Sequence, residues 1–109
     1  ERRVKAMVRQ RDGFRCRFCS SRAYDVAHGF SEGGYPSVRF LGINLFTACR
    51  RCHALGHQHP TRWRQSIATL LGPDDFARLE RAAMAAGTGP HPVSVIAAAR
   101  RGEFLEPAA

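Results

Sequence analysis

The pattern of apolar and polar positions divides the chain into short elements separated by strong punctuation. Over residues 1–11 the apolar Val4, Met7 and Val8 share one helical stripe, and Arg and Lys fill the rest of the circumference. Asp12-Gly13 stops that helix. Phe14 to Cys19 reads as a tight turn, with Phe14 and Phe18 as apolar packing beside it. Tyr24 to His28 reads as a short strand running into a glycine-rich loop that holds Gly33, Gly34 and Pro36. Val38 to Phe46 reads as a second extended segment interrupted by Gly42. A helix is expected to start near Cys52 and to end at Gly56 and Pro60.

Beyond it, Trp63, Ile67, Leu70 and Leu71 mark one face of a helix capped by Thr61. Gly72-Pro73 breaks that helix. Asp74 or Asp75 opens another with Phe76, Leu79 and Ala83 aligned. Gly87 to Pro90 reads as a linker, and Pro92 to Arg101 as a last short helix closed by Gly102. Few strands and several helices imply an α+β fold. Residues 1–60 form the expected core with its N-terminal helix, and residues 61–109 a helical C-terminal extension packed on it.

Two cysteine pairs change this picture. Cys16 and Cys19, then Cys49 and Cys52, each enclose two residues, so each pair can present two thiolates to one ion from a tight turn. Four cysteines at this spacing, in a basic chain that also holds five histidines, favour one structural zinc over two disulfides. A metal staple also suits a chain of 109 residues, which can bury only a modest core.

Charge narrows the choice of partner. The formal net charge is +8, and of the 17 Lys and Arg only Arg78, Arg81, Arg100 and Arg101 lie beyond residue 64. The basic charge therefore accompanies the cysteines. Arginine's planar fork suits phosphate, and a polyanion such as DNA is the expected partner. Arg39, Arg50, Arg51, Arg62 and Arg64 are the candidates for backbone contact. No apolar run approaches membrane-spanning length, and reduced cysteines suit a cytoplasmic setting.

Four polar residues stand out beside the cysteines. His28 ends a strand, where a neutral imidazole could take a proton from water. His53 and His57 are four residues apart on the helix, so both rings can face one side and share a metal. Asn44 precedes the second cysteine pair and by itself signals no more than a turn.

Taken together these residues resemble the HNH endonuclease family. The order is Cys-x-x-Cys, a strand ending in His28, Asn44, then Cys-x-x-Cys-His53, with nine residues from Asn44 to His53. The resemblance implies a zinc-stapled ββα-metal, treble-clef-like core with N- and C-terminal helices. It implies His28 as general base, Asn44 as the residue that orients its loop, and His53 as a ligand of a catalytic divalent ion. His57 is similar to the additional histidine ligand of the colicin-like branch. The ion would be Mg, Mn, Ni or Zn, and cleavage would leave 5′-phosphate ends.

Most members carry Asp or His just before the base. Here Ala27 stands there, and Asp25 is the nearest carboxylate on the same strand face. The segment from Ala27 to Cys52, and the helices trailing it, look more like phage recombination nucleases of the NinG type. A phage or mobile-element setting, inside a bacterial host, follows from that resemblance. Duplex or branched DNA is the implied substrate, with a second copy or a phage protein as a further partner. The alternative is a zinc-containing nucleic-acid-binding module that has lost catalysis.

Overall fold

The computed structural model describes residues 2–85 and 89–107. Among these it forms a small α+β unit of five helices, one two-stranded antiparallel hairpin and a four-cysteine cluster. Of the linker expected over Gly87 to Pro90, Gly87 and Thr88 lie outside the described residues.

Helix α1 (Arg2–Arg11) buries Val4 and Val8, the apolar stripe of its sequence. Strand β1 (Asp25–His28) pairs antiparallel with β2 (Leu45–Ala48), placing Asp25 opposite Ala48 and His28 opposite Leu45. Helix α2 (Arg50–Gln58) follows β2 directly, capped by Cys49. The remaining helices are α3 (Pro60–Leu71), α4 (Pro73–Met84) and α5 (Pro92–Arg100).

Each of these last three helices begins on a proline, which needs no N–H partner and brings a fixed φ suited to a first turn. Pro60 thus opens α3 rather than merely closing α2. His59, not Thr61, takes the position before it, and its side chain makes no cap bond.

Between the strands the expected extended segment is mostly absent. Pro36–Val38 and Gly42–Asn44 are 3₁₀ turns, and only Leu45–Ala48 is strand. Burial explains the difference. Val38, Leu41 and Asn44 all point inward, a three-residue period that an extended chain cannot supply.

Three apolar clusters hold the elements together. Phe30, Val38, Leu41 and Phe46, from the hairpin and its connection, pack with Ile67 of α3 and Leu79 and Ala83 of α4. On the other side Val4 and Val8 of α1 pack with Leu45 and with Val95 and Ala99 of α5. A third, smaller cluster joins Cys16, Ala23, Ala27 and Ala48, with Phe18 against it. Phe14 does not join it: its ring is 37% exposed and lies against Tyr24.

One carboxylate ties the end of α1 to the hairpin. Asp12 Oδ2 accepts from the Thr47 backbone N–H at 3.0 Å, and Oδ1 accepts from Arg11 Nε at 2.9 Å and Arg17 Nη1 at 3.3 Å. The Arg11 guanidinium also donates to the carbonyls of Gly42 at 2.9 Å and Leu45 at 2.6 Å. Burial acts to raise the Asp12 pKa, but the hydrogen bonds from Arg11 and Thr47 and the Arg11 charge outweigh it and hold the carboxyl below its ordinary value.

A carboxyl depressed in the folded state stabilises the fold above the unfolded carboxylate range. That stabilisation is lost as pH falls through the lower folded value. Asp12→Ala should therefore cost about 1–3 kcal/mol at neutral pH, chiefly by leaving the Thr47 N–H without its acceptor. Denaturant titrations at pH 7 and below pH 4 check this. The variant's deficit should shrink at the acid end, and a deficit equal at both would refute the assignment.

Candidate metal centre and histidine cleft

The two cysteine pairs sit at equivalent places in two turns. Cys16 and Cys19 bracket the turn after α1, and Cys49 and Cys52 bracket the first turn of α2. In each pair the first sulfur accepts a backbone N–H across the turn: Phe18 N to Cys16 Sγ at 3.4 Å, Cys52 N to Cys49 Sγ at 3.4 Å. These bonds direct both sulfurs of a pair to one side. All four ligand atoms lie within 4.8 Å of one another, and the Cys19 and Cys49 sulfurs are 3.7 Å apart.

Tetrahedral zinc with bonds of about 2.3 Å separates its sulfurs by about 3.8 Å, so the set fits a structural zinc. All four cysteines are free of disulfides. The Ser21 hydroxyl, 3.0 Å from Cys19 Sγ, is the main cause that lowers the Cys19 thiol to about 6. The Cys52 N–H lowers the Cys49 thiol, at a helix N-terminus that already favours negative charge. Among the described residues this is the one group of three or more His, Cys, Asp or Glu whose ligand atoms converge.

Beside the cysteine cluster β1, α2, α3 and α1 enclose a cleft of about 480 Å³ that brings together Lys5, His28, Glu32, His53, His57 and Arg64. His28 is the last residue of β1. Its Nε2 lies 3.1 Å from the Arg39 carbonyl and 3.9 Å from a Glu32 carboxylate oxygen. A carbonyl can only accept, so Nε2 carries the proton and Nδ1 keeps the lone pair. Burial pushes the imidazole below its ordinary pKa, against the opposing pull of Glu32 and of the Arg39 bond.

The chain just after His28 is held from several directions. Asn44, fully buried, accepts from Phe30 N at 2.7 Å and donates to the carbonyls of Phe30 at 3.0 Å and Val38 at 3.2 Å. Its own carbonyl accepts from Gly29 N at 2.9 Å. Trp63 Nε1 donates to the carbonyls of His28 and Gly29, both at 3.1 Å. Gly29 is required by proximity: a Cβ there would lie 3.0 Å from Asn44 Oδ1 and 3.1 Å from the Phe46 ring.

Across the cleft, His53 Nδ1 lies 3.2 Å from Asp25 Oδ2. Asp25, the carboxylate nearest to a substitute for Ala27 in sequence, is thus engaged with the imidazole. Ala27 itself is 1% exposed among the cysteines and Ala48. The His57 ring lies 5.0 Å from that of His53.

The candidate arginines disperse. Arg64 borders the cleft with its guanidinium 3.9 Å over the Phe30 ring. Arg50 and Arg51 are exposed on the first turn of α2, and Arg62 borders a separate groove beside Leu55 and Trp63. Arg39 contributes its carbonyl to His28 while its guanidinium covers Phe40 at 4.7 Å. Sequence reasoning missed Lys5, Glu32 and the Trp63 indole. Trp63 had registered only as part of an apolar stripe, and the other two carry no local signal.

No protein-family model, no curated protein and no solved structure matches this chain.

Zinc binding in small domains contributes about 10–16 kcal/mol, as much as such a fold's whole stability. Metal analysis should find one zinc per chain, and chelation should unfold it in circular dichroism. A chain that keeps its melting transition without metal would refute a structural role.

Proposed function

We propose that this chain is a metal-dependent HNH-type endonuclease that hydrolyses DNA phosphodiester bonds on a zinc-stapled ββα-metal core. The observation that carries this reading is the state of His28. It is a half-buried imidazole whose pKa burial pushes down, with Nε2 beside the Arg39 carbonyl, which leaves the lone pair on Nδ1, and cationic side chains border the same cleft. The strand–strand–helix order β1–β2–α2, with His53 on the helix, also supports it.

In this reading Nδ1 of His28 takes a proton from water as its oxygen bonds to phosphorus. The P–O3′ bond breaks and its electron pair leaves on the 3′ oxygen, which solvent protonates. The products are a 3′-hydroxyl and a 5′-phosphate. Glu32, 3.9 Å from Nε2, favours the imidazolium that forms. Asn44 and Trp63 keep His28 in position through the backbone behind it.

Asp25 accepts the Nδ1 proton of His53, which leaves Nε2 as that ring's ligand atom. His53 and His57 are the residues that would hold a divalent ion, and two imidazoles lean towards a transition metal such as Zn, Ni or Mn over Mg. When bound, such an ion withdraws charge from the phosphoryl and leaving oxygens. Arg64 and Lys5 supply positive charge for the strand's phosphates.

A specific observation favours a second reading, a binding module without catalysis. Ala27 offers no ligand atom, and among the described residues His53 and His57 have no third converging ligand.

Cleavage of plasmid and branched DNA with Mg, Mn, Ni and Zn in parallel separates the two. No cleavage with any of them, by folded zinc-loaded protein, removes the enzyme. For an active protein, His28→Ala should lower the rate by about 10²–10⁴-fold. The acid limb of the pH–rate profile should lie below about pH 6.5, because burial depresses the base. An acid limb above that value would contradict the assignment. His53→Ala should regain part of its activity at raised metal concentration and His28→Ala should not. The opposite result would exchange their roles.

A further inference from the structure

The first cysteine turn carries an exposed aromatic pair that neither the fold nor the cleft uses. Tyr24 is 55% and Phe14 37% exposed, with ring centroids 6.0 Å apart. Arginines fix the pair. Arg9 Nε donates to the Tyr24 carbonyl at 2.7 Å, Arg22 Nη1 to the Tyr24 hydroxyl at 3.3 Å, and Arg15 bridges Arg22 through the backbone. Phe14 also has φ +56°, a left-handed conformation that glycine or asparagine would adopt with less steric cost. A bulky aromatic held there and left in water serves no core. Strain of this kind is characteristic of functional positions.

The pair is continuous with the cleft. Tyr24 directly precedes β1, whose Val26 and His28 border the cleft. On α1, Lys5 borders the cleft, and Arg9 lies one helical turn further along the same face, at Tyr24. Four residues of extended chain from Tyr24 to His28 span about 13 Å, the length of about four stacked nucleotides.

We infer that Phe14 and Tyr24, flanked by Arg9, Arg15 and Arg22, form a stacking platform for an unpaired base of a DNA strand whose phosphates run over Arg9 and Lys5 into the His28 cleft. Exposed aromatics among arginines take bases from single strands, because every base offers a π-face while a duplex keeps its own bases stacked. The inference rests on the nucleic-acid reading above and adds a substrate class to it: DNA with an unpaired segment beside the scissile phosphate.

The test reads binding alone. Fluorescence anisotropy, without added catalytic metal, compares a labelled single-stranded oligonucleotide with a blunt duplex of the same length. Phe14→Asn relieves the left-handed strain, so it should fold at least as well as the parent, and Tyr24→Ala is the second variant. Each should weaken single-strand binding about 5–150-fold and leave duplex affinity unchanged, and Phe14→Asn should keep its melting temperature at or above the parent's. That result upholds the platform whether or not the protein cuts DNA, so absence of cleavage would refute only the nuclease. Single-strand affinity unchanged in Phe14→Asn, or single-strand and duplex affinity falling together, overturns the platform.

Discussion

The convergence of four cysteine sulfurs is the constraint on which the rest of the structure depends. It joins the turn after α1 to the first turn of α2, and β1, the connecting loop and β2 lie between those turns. A two-stranded hairpin is marginal by itself in water. Here it is closed at one end by the cysteine turns and covered by helices on both sides. Asp12 reinforces the same junction, since its carboxylate holds Thr47 of β2, Arg11 at the end of α1 and Arg17 inside the first cysteine turn.

At the other end of the hairpin, polar groups rather than apolar packing fix the geometry. Asn44 meets the hydrogen-bonding needs of a buried loop that has no sheet or helix partner. Without such an acceptor and donor pair the Phe30 amide and carbonyl would be stranded. Their satisfaction lets the chain turn inside the fold directly after His28. Trp63 adds the same service from α3, which couples the C-terminal helices to the cleft as well as to the core. The helical extension thus carries part of the candidate site.

The histidines of the cleft occupy different electrostatic environments, and this divides their chemistry. His28 is half-buried and hydrogen-bonded to a carbonyl through Nε2, and burial pushes its pKa down, which keeps the Nδ1 lone pair available. His53 is set against the Asp25 carboxylate, which accepts the Nδ1 proton and leaves Nε2 open. The difference arises from what each ring's second nitrogen touches, since residue type is the same in both. On α1, Lys5 borders this cleft and Arg9 meets Tyr24, one of the exposed aromatics beside the first cysteine turn.

The sequence alone determined what depends on short spacing. Paired cysteines set the cluster, the i and i+4 histidines set a helical face, and apolar periodicity located α1, α3 and α4. The strand that ends at His28 was legible for the same reason. Segment 38–46 misled because Val38 and Phe40 alternate as a strand would, whereas burial of Val38, Leu41 and Asn44 follows the demands of the loop above them. Prolines 60 and 73 looked like a stop and a break, and only the path of the following helix makes each one a start, as Pro92 already read. Asp12 registered only as a helix stop and Asp25 only as a carboxylate near Ala27, while Lys5 and Glu32 gave no local sign, because a charged residue's role is set by partners across the fold. Thr47 is 35 positions from Asp12 and His53 is 28 from Asp25. Periodicity is a property of neighbours in the chain. The electrostatics of the cleft is a property of neighbours in space, which only the tertiary structure brings together.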